Sequence, residues 1–239
     1  MLRTVIAVGV AATLHAAPIA AQEPARAEIE QVVRELLARE PQIVIEAIRS
    51  YQARQEEARN AQVADAIAAN RAALVSAEHP SVGPSDAAVT VVEFFDYRCS
   101  FCRRMVPRLD ALVADHDDVR VVFVEFPVLG RDSLRAAQAS LAAWRQDPDA
   151  YPDVHRAFMA ADDFSAPALV AIAEEHGLDG DRLVADMQSD AVRARLTANH
   201  ELAQEIGIEG TPAFIVGDTV MPGEVQLEEL EAAIADARG

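Results

Sequence analysis

The sequence contains no lysine: all 21 basic residues are arginines, against 39 Asp plus Glu, for a formal net charge of −18. A chain this acidic, without a basic cluster, is unsuited to nucleic acid or to an anionic membrane surface. Aromatic residues are scarce at 5%, too few for the platforms on which single-stranded bases stack. Past the first residues, no stretch approaches the roughly 18–20 consecutive apolar residues of a membrane span. G-x-S-x-G, Walker A and H-E-x-x-H patterns are absent, as are internal repeats and low-complexity tracts. Cysteine is nearly absent too, with two residues in 239. What is abundant is apolar surface: 51% of residues are hydrophobic, enough for a sizeable core and against wholesale disorder.

The N-terminus reads as an address. Arg3 precedes an apolar run from Val5 to Leu14, and small residues lead to Ala20-Ala21 before Gln22. A charged start, a short apolar stretch and a small-residue exit are the layout of a secretory signal peptide, here residues 1–21. Export implies a periplasmic or otherwise extracytoplasmic protein, soluble once cleaved. It also sets the redox context, because thiols outside the cytosol meet oxidising surroundings.

Residues 22–77 read as an N-terminal helical segment. Ile29, Val32, Val33, Leu36 and Leu37 share one helical face. Glu40-Pro41 interrupts it, and Pro41 suits the first turn of the next helix, whose stripe is Val44, Ala47, Ile48 and Tyr51. A helix from Gln42 to about Leu74 would reach about 50 Å at ~1.5 Å per residue, more than a small domain can cover. The stripe therefore meets another copy of the chain, or the segment is partly a flexible arm; self-association is the reading carried forward. Residues 78–87, with Pro80, Gly83, Pro84 and Ser85, read as a linker.

Residues 88–239 alternate strand and helix patterns. AVTVVEFF from Ala88 and VRVVFVEF from Val119 are β-branched and aromatic runs of strand length. Between them, Phe101, Met105, Leu109, Leu112 and Val113 carry helical spacing from Ser100. Residues of about 131–206 are Ala-rich and predict four or five helices. Gly217-Asp218 joins two short strands in a hairpin, and Leu227 to Ala237 closes as a helix. The pattern defines an α/β domain with a helical insertion.

Cys99 and Cys102 are spaced C-x-x-C. A disulfide closing so short a loop adds almost no stability, and a metal site would need two more ligands, with His116 the closest histidine in sequence. Redox chemistry is the remaining use, with neither metal nor cofactor expected. Cys99 falls where a strand passes into a helix, so unpaired N–H groups and the helix dipole favour its thiolate. Thiols so placed drop to roughly 3.5–7.5 from ~8.5. Cys102, one turn later, faces inward and suits the resolving role. Ser100 and Phe101 between them help set the balance and border the site. Glu93, between Val92 and Phe94, is costly to bury unless paired or protonated; it is either a buried proton-transfer group or an outward residue of an alternating strand. Asp96, Tyr97 and Arg98 border the substrate surface without catalytic roles. The scattered His79, His116, His155, His176 and His200 read as surface or cap residues, and Trp144 as core.

EFFDYRCSFC, with GTPAF far downstream, resembles the DsbA-like branch of the thioredoxin superfamily over about Ala87 to Ala237. The resemblance implies a thioredoxin fold and a cis-proline loop, here Thr211-Pro212, packed on the dithiol with strand-like backbone groups open to substrate. It implies that Thr211 tunes the thiols and that Glu93 is the buried acid beneath them. Pro107, eight residues after Cys99, matches the family's helix-kink proline. REPQIVIEAIRSYQARQ is similar to the stalk-bearing, Com1/ScsC-like members, some of which oligomerise and isomerise.

The function expected is therefore an exported protein thiol–disulfide oxidoreductase with Cys99, Cys102 and Glu93 as its catalytic groups. Its partners would be cysteine-containing client proteins and a membrane redox partner that resets the disulfide. The stalk leans the direction toward isomerase or reductase work. The alternative is a holdase or copper-binding protein on the same fold, since paired thiols bind soft Cu(I).

Overall fold

The structure is a computed structural model that describes residues 26–239; the signal-peptide reading lies outside them. The chain forms two compact units, one ending at Arg54 and the other spanning Gln55–Gly239. In the first, helix α1 (Arg26–Arg39) and the opening of α2 (Gln42–Leu74) follow the predicted break at Pro41. Helix α1 buries no residue. Its stripe and that of α2 are open to solvent, with Val32 63%, Ile48 52% and Tyr51 58% exposed. Arg26 and Arg34 each pair with Glu30 one turn away, worth only a few tenths of a kcal/mol on an exposed helix.

The second unit is built on a five-stranded sheet in the order β1-β3-β2-β4-β5. Strands β2 (Val89–Phe95) and β3 (Val119–Glu125) form its parallel centre. They read as nearly continuous apolar runs because both faces are covered. Helix α3 (Ser100–Asp115) is their crossover. The hairpin of β4 (Ala213–Val216) and β5 (Thr219–Pro222) lies antiparallel on the other side of β2, turning at Gly217 with φ +63°, a left-handed angle that suits glycine. Within the stretch read as a linker, β1 (Ser81–Val82) pairs antiparallel with β3. No repeating pattern marks it, since two residues are too few to show one.

Successive strand residues point to opposite faces. Val91, Phe95, Val121 and Phe123 face a core shared with Cys102, Met105 and Leu109 of α3. Val92, Phe94, Val122 and Val124 face a second core, into which the end of α2 inserts Ile67 and Leu74. Between β3 and β4, where four or five helices are expected, come five: α4 (Arg131–Gln146), α5 (Tyr151–Ala160), α6 (Ala166–Glu175), α7 (Gly180–Met187) and α8 (Asp190–Ile206). Ser165, Asp179 and Ser189 cap three of them by accepting from the backbone N–H three residues on. Helix α9 (Leu227–Arg238) closes the fold behind a Gln226–Glu229 capping box.

Two histidines read as surface residues are buried. His79, two residues before β1, is fully buried with Nε2 3.1 Å from Ala73 O, and burial lowers its pKa to about 4. His155 stands among Phe95, Phe123 and Tyr151, lowered by burial to about 3 and therefore neutral. His116 and His176 are helix C-caps as expected, and Trp144 packs partly buried against the first core.

Candidate active site

Cys99 is the N-cap of α3 in extended conformation, and the helix turns from Ser100. The two cysteines are reduced, unjoined by a disulfide. Cys102 is fully buried, and Cys99 retains 5% exposure. Pro107 lies inside α3, one turn past the thiols. The Thr211–Pro212 bond is cis, and Thr211 O accepts from Cys99 Sγ at 3.3 Å. Two motifs 112 residues apart in sequence thus meet at one sulfur.

The two thiols are strongly unequal. Cys99 is lowered to about 5, first by the hydrogen bond from Cys102, then by the backbone N–H of Cys102, by the Thr211 side-chain hydroxyl and by the backbone N–H of Phe101, against the opposing effect of burial. Cys102 is pushed far up by burial, by its bond to Cys99 and by the nearby Glu93 carboxyl. One is a thiolate at neutral pH and the other a thiol. Glu93 is buried on the α3 side of β2, so the outward reading is excluded. Burial and the Cys99 charge raise it well above the ordinary carboxylate range. Ser100 is exposed, and Phe101 is 50% exposed with the Arg104 guanidinium 4.5 Å from its ring centre.

Asp96 and Tyr97, expected at the surface, are each 1% exposed; Arg98 alone of the three reaches solvent. Asp96 Oδ1 accepts from Arg98 N at 2.8 Å, and Oδ2 from Val128 N and Leu129 N at 2.9 and 3.0 Å. One carboxylate thereby ties the turn before Cys99 to the loop after β3. Tyr97 Oη lies 2.7 Å from Ser140 Oγ and 2.9 Å from His155 Nδ1, fastening the same turn to α4 and α5. Such ties join residues tens of positions apart, which no local pattern reveals. Asp96→Ala would strand three N–H groups, an expected loss of about 2–3 kcal/mol measurable by denaturant unfolding.

A thioredoxin-type sheet, an unequal dithiol at a helix start and a cis-proline carbonyl on the reactive sulfur define a thiol–disulfide oxidoreductase. The chain belongs to the DsbA-like thioredoxin domain family, whose model matches residues 90–235. Residues 26–58 match a second family, described as the copper resistance protein ScsC N-terminal domain. The chain is 27% identical over 166 residues to disulfide bond formation protein D of Bacillus subtilis, covering 65% of this chain and 75% of that protein. Among solved structures it resembles BcfH of Salmonella enterica Typhimurium (32% identity, TM-score 0.74, 89% of this chain and 96% of that one). A linker-deletion variant of Proteus mirabilis ScsC is similar at 30% identity and TM-score 0.69, covering 92% and 98%. Of sodium/proton antiporters that it also matches, the chain spans 24% of the length.

Proposed function

We propose that this protein is an exported thiol–disulfide exchanger that, held reduced, rearranges wrong disulfides in client proteins. The observation that carries the exchange reading is the unequal placement of the thiols, Cys99 at the start of α3 against the Thr211 carbonyl and Cys102 fully buried behind it, which lowers Cys99 to about 5 and keeps Cys102 protonated. In the first step the Cys99 sulfur attacks a client disulfide; its electron pair forms the mixed disulfide and the displaced client sulfur leaves as thiolate. In the second, Cys102 gives its proton to the Glu93 carboxylate and attacks Cys99, expelling the other client sulfur. Where a client thiolate attacks the mixed disulfide first, the client is rearranged and the dithiol is regenerated. Thr211 offers its backbone to the client strand beside Cys99, Pro212 anchors that loop with its carbonyl accepting from Gly223 N, and Ser100 and Phe101 form the rim the client crosses.

Rearrangement rather than oxidation is supported by the open apolar stripes of α1 and early α2 and by the match of residues 26–58 to the ScsC N-terminal domain. A second copy covering those stripes would group several dithiols on one client. A membrane partner that supplies electrons would keep them reduced, and the pattern of residues 1–21 supports export.

The test is reactivation of a scrambled-disulfide protein by purified mature chain reduced beforehand. Recovery of native pairing, with C102S trapped on the client through Cys99, is the expected result. Rapid oxidation of a reduced peptide by the disulfide form, without reactivation, would replace rearrangement by oxidation. Stoichiometric Cu(I) binding at the thiols without exchange would overturn the enzyme reading in favour of metal handling.

A further inference from the structure

Beneath the dithiol lies a second acid that the exchange steps leave unused. Glu125 ends β3 as Glu93 lies within β2, and the parallel register places Glu93 opposite Phe123 and Phe95 opposite Glu125. The two glutamates are therefore diagonal neighbours on adjacent strands. Strands ~4.8 Å apart with a two-residue offset of ~3.3 Å per residue put their Cα atoms about 8 Å apart, within reach of two glutamate side chains. Both face the α3 side, because Val91, Phe95, Val121 and Phe123, two residues away along each strand, line the core that holds Cys102. Each is 1% exposed. Glu93 Oε1 and both carboxyl oxygens of Glu125 have no hydrogen-bond partner among the described residues.

The groups facing the pair are known on every side. Cys99 and Cys102 approach Glu93 from α3. Asp96 lies beside Glu125 at the end of β2, and Tyr97 and Tyr151 lie within reach of its charge; His155, bonded to both tyrosines, is neutral. These neighbours bring acids and phenols toward Glu125, with the Ser140 hydroxyl as its one favourable neighbour, and a buried carboxylate so poorly partnered is expensive. Burial, Asp96 and Glu93 push its proton affinity up and outweigh the Ser140 hydroxyl, which favours the charged form.

We propose that Glu125 is a positioning residue for thiol exchange: with Glu93 it forms a coupled carboxyl pair that carries at most one charge while Cys102 gives up its proton. The proposal rests on the exchange reading above. Repulsion between carboxylates in a dry site is reciprocal, so the charge on either opposes the charge on the other. Glu93 accepts the Cys102 proton, and the neutral Glu125 beside it lets Glu93 hold the charge needed to do so. When the pH rises far enough to ionise Glu125 as well, the second charge is opposed by the first. The pair then titrates in two macroscopic steps that belong to both residues.

An aromatic disulfide mixed one-to-one with the reduced protein reads the two chemical steps separately. Attack by Cys99 releases the first aromatic thiolate, and attack by Cys102 on the mixed disulfide releases the second, leaving the protein oxidised. For the wild-type chain the second release should rise with pH in two steps. Glu125→Gln should collapse it to a one-proton curve with its midpoint about one pH unit lower, leaving the first release unchanged. In a Glu93→Gln background, Glu125→Gln should shift nothing further. A Glu125→Gln curve superposable on wild type, or an equal shift without Glu93, would overturn the proposal. Absence of the first release in wild type would instead overturn the exchange reading. Should the variant not fold, reduced-minus-oxidised infrared spectra of the unmodified protein decide: signals from two carboxyl groups changing together, whether protonated or ionised, are expected, and a change confined to one carboxyl group defeats the pair.

Discussion

Acidification from pH 7 to pH 3 is expected to slow the attack of Cys99 on a non-titrating disulfide about 100-fold, following the thiolate fraction of a group at about 5. Cys99→Ser should abolish the reaction at every pH. The fall begins only below about pH 6, because Cys102, the backbone at the start of α3 and the Thr211 hydroxyl hold the thiolate against protonation. A thiol at its ordinary value of ~8.5 would already be slowed at pH 7. The same shift governs the stability of the reduced protein. A group whose pKa is depressed on folding stabilises the fold fully above its unfolded value, and that stabilisation is lost as pH falls through the folded value. The reduced form should therefore lose stability relative to the disulfide form on going from pH 8 to pH 4, as unfolding of the two forms in parallel would show. Glu93 and Glu125 act with the opposite sign. Their raised values mean the folded state keeps protons the unfolded state releases, so their contribution weakens as pH rises above about 4.5. Flat stability of the reduced form relative to the disulfide form between pH 8 and pH 4, or an attack rate that halves only near pH 8, would show that Cys99 is not held as a thiolate.

Much of this site was legible in the chain because its parts are local. C-x-x-C at a strand-to-helix junction places one sulfur at a helix start whatever the rest of the fold does. The strands at Val89 and Val119, the hairpin about Gly217 and the helices between them announce themselves by period and by turn residues. The distant contacts were less legible. Asp96 and Tyr97 look like surface polars because their partners, Val128, Leu129, Ser140 and His155, lie 32 to 58 residues away. His79 and His155 misled for the same reason, since a lone polar residue shows its burial only once long-range packing is known. Glu125 did leave a trace: Val92-Glu93-Phe94 and Val124-Glu125-Phe126 repeat one pattern in the two central strands. Glu93 gained notice from its place between Val92 and Phe94 and from the family resemblance, whereas the equally anomalous carboxyl inside VRVVFVEF had no motif beside it to mark it. The end of α2 carried a similar ambiguity. Its spacing through Val63 and Ile67 continues the helix pattern of the preceding residues, yet Ile67 and Leu74 belong to the core beneath the sheet. Deleting residues 22–75 would therefore remove core side chains together with the exposed stripe, and loss of activity would say nothing about assembly.

Point charges on the stripe make the cleaner experiment. Val32→Glu with Ile48→Glu changes two side chains that are 63% and 52% exposed, on α1 and the opening of α2. If the stripe is covered by other copies, fully burying each such side chain contributes about 1.5–3 kcal/mol, and two buried carboxylates would add a desolvation cost of several kcal/mol more. Assembly should then be lost entirely, with light scattering reporting one chain's mass in place of a multiple. Release of aromatic thiolate should be unaffected, because Cys99, Cys102 and Thr211 all lie in the second unit. Reactivation of scrambled protein should fall about tenfold or more, since tethered dithiols meet one client at an effective concentration that separate chains do not reach. This separation of exchange from rearrangement is what grouping by the stripe requires. A wild-type chain that is already a single copy, or a double variant that rearranges clients at the full rate, would assign the stripe to another partner and leave a solitary exchanger.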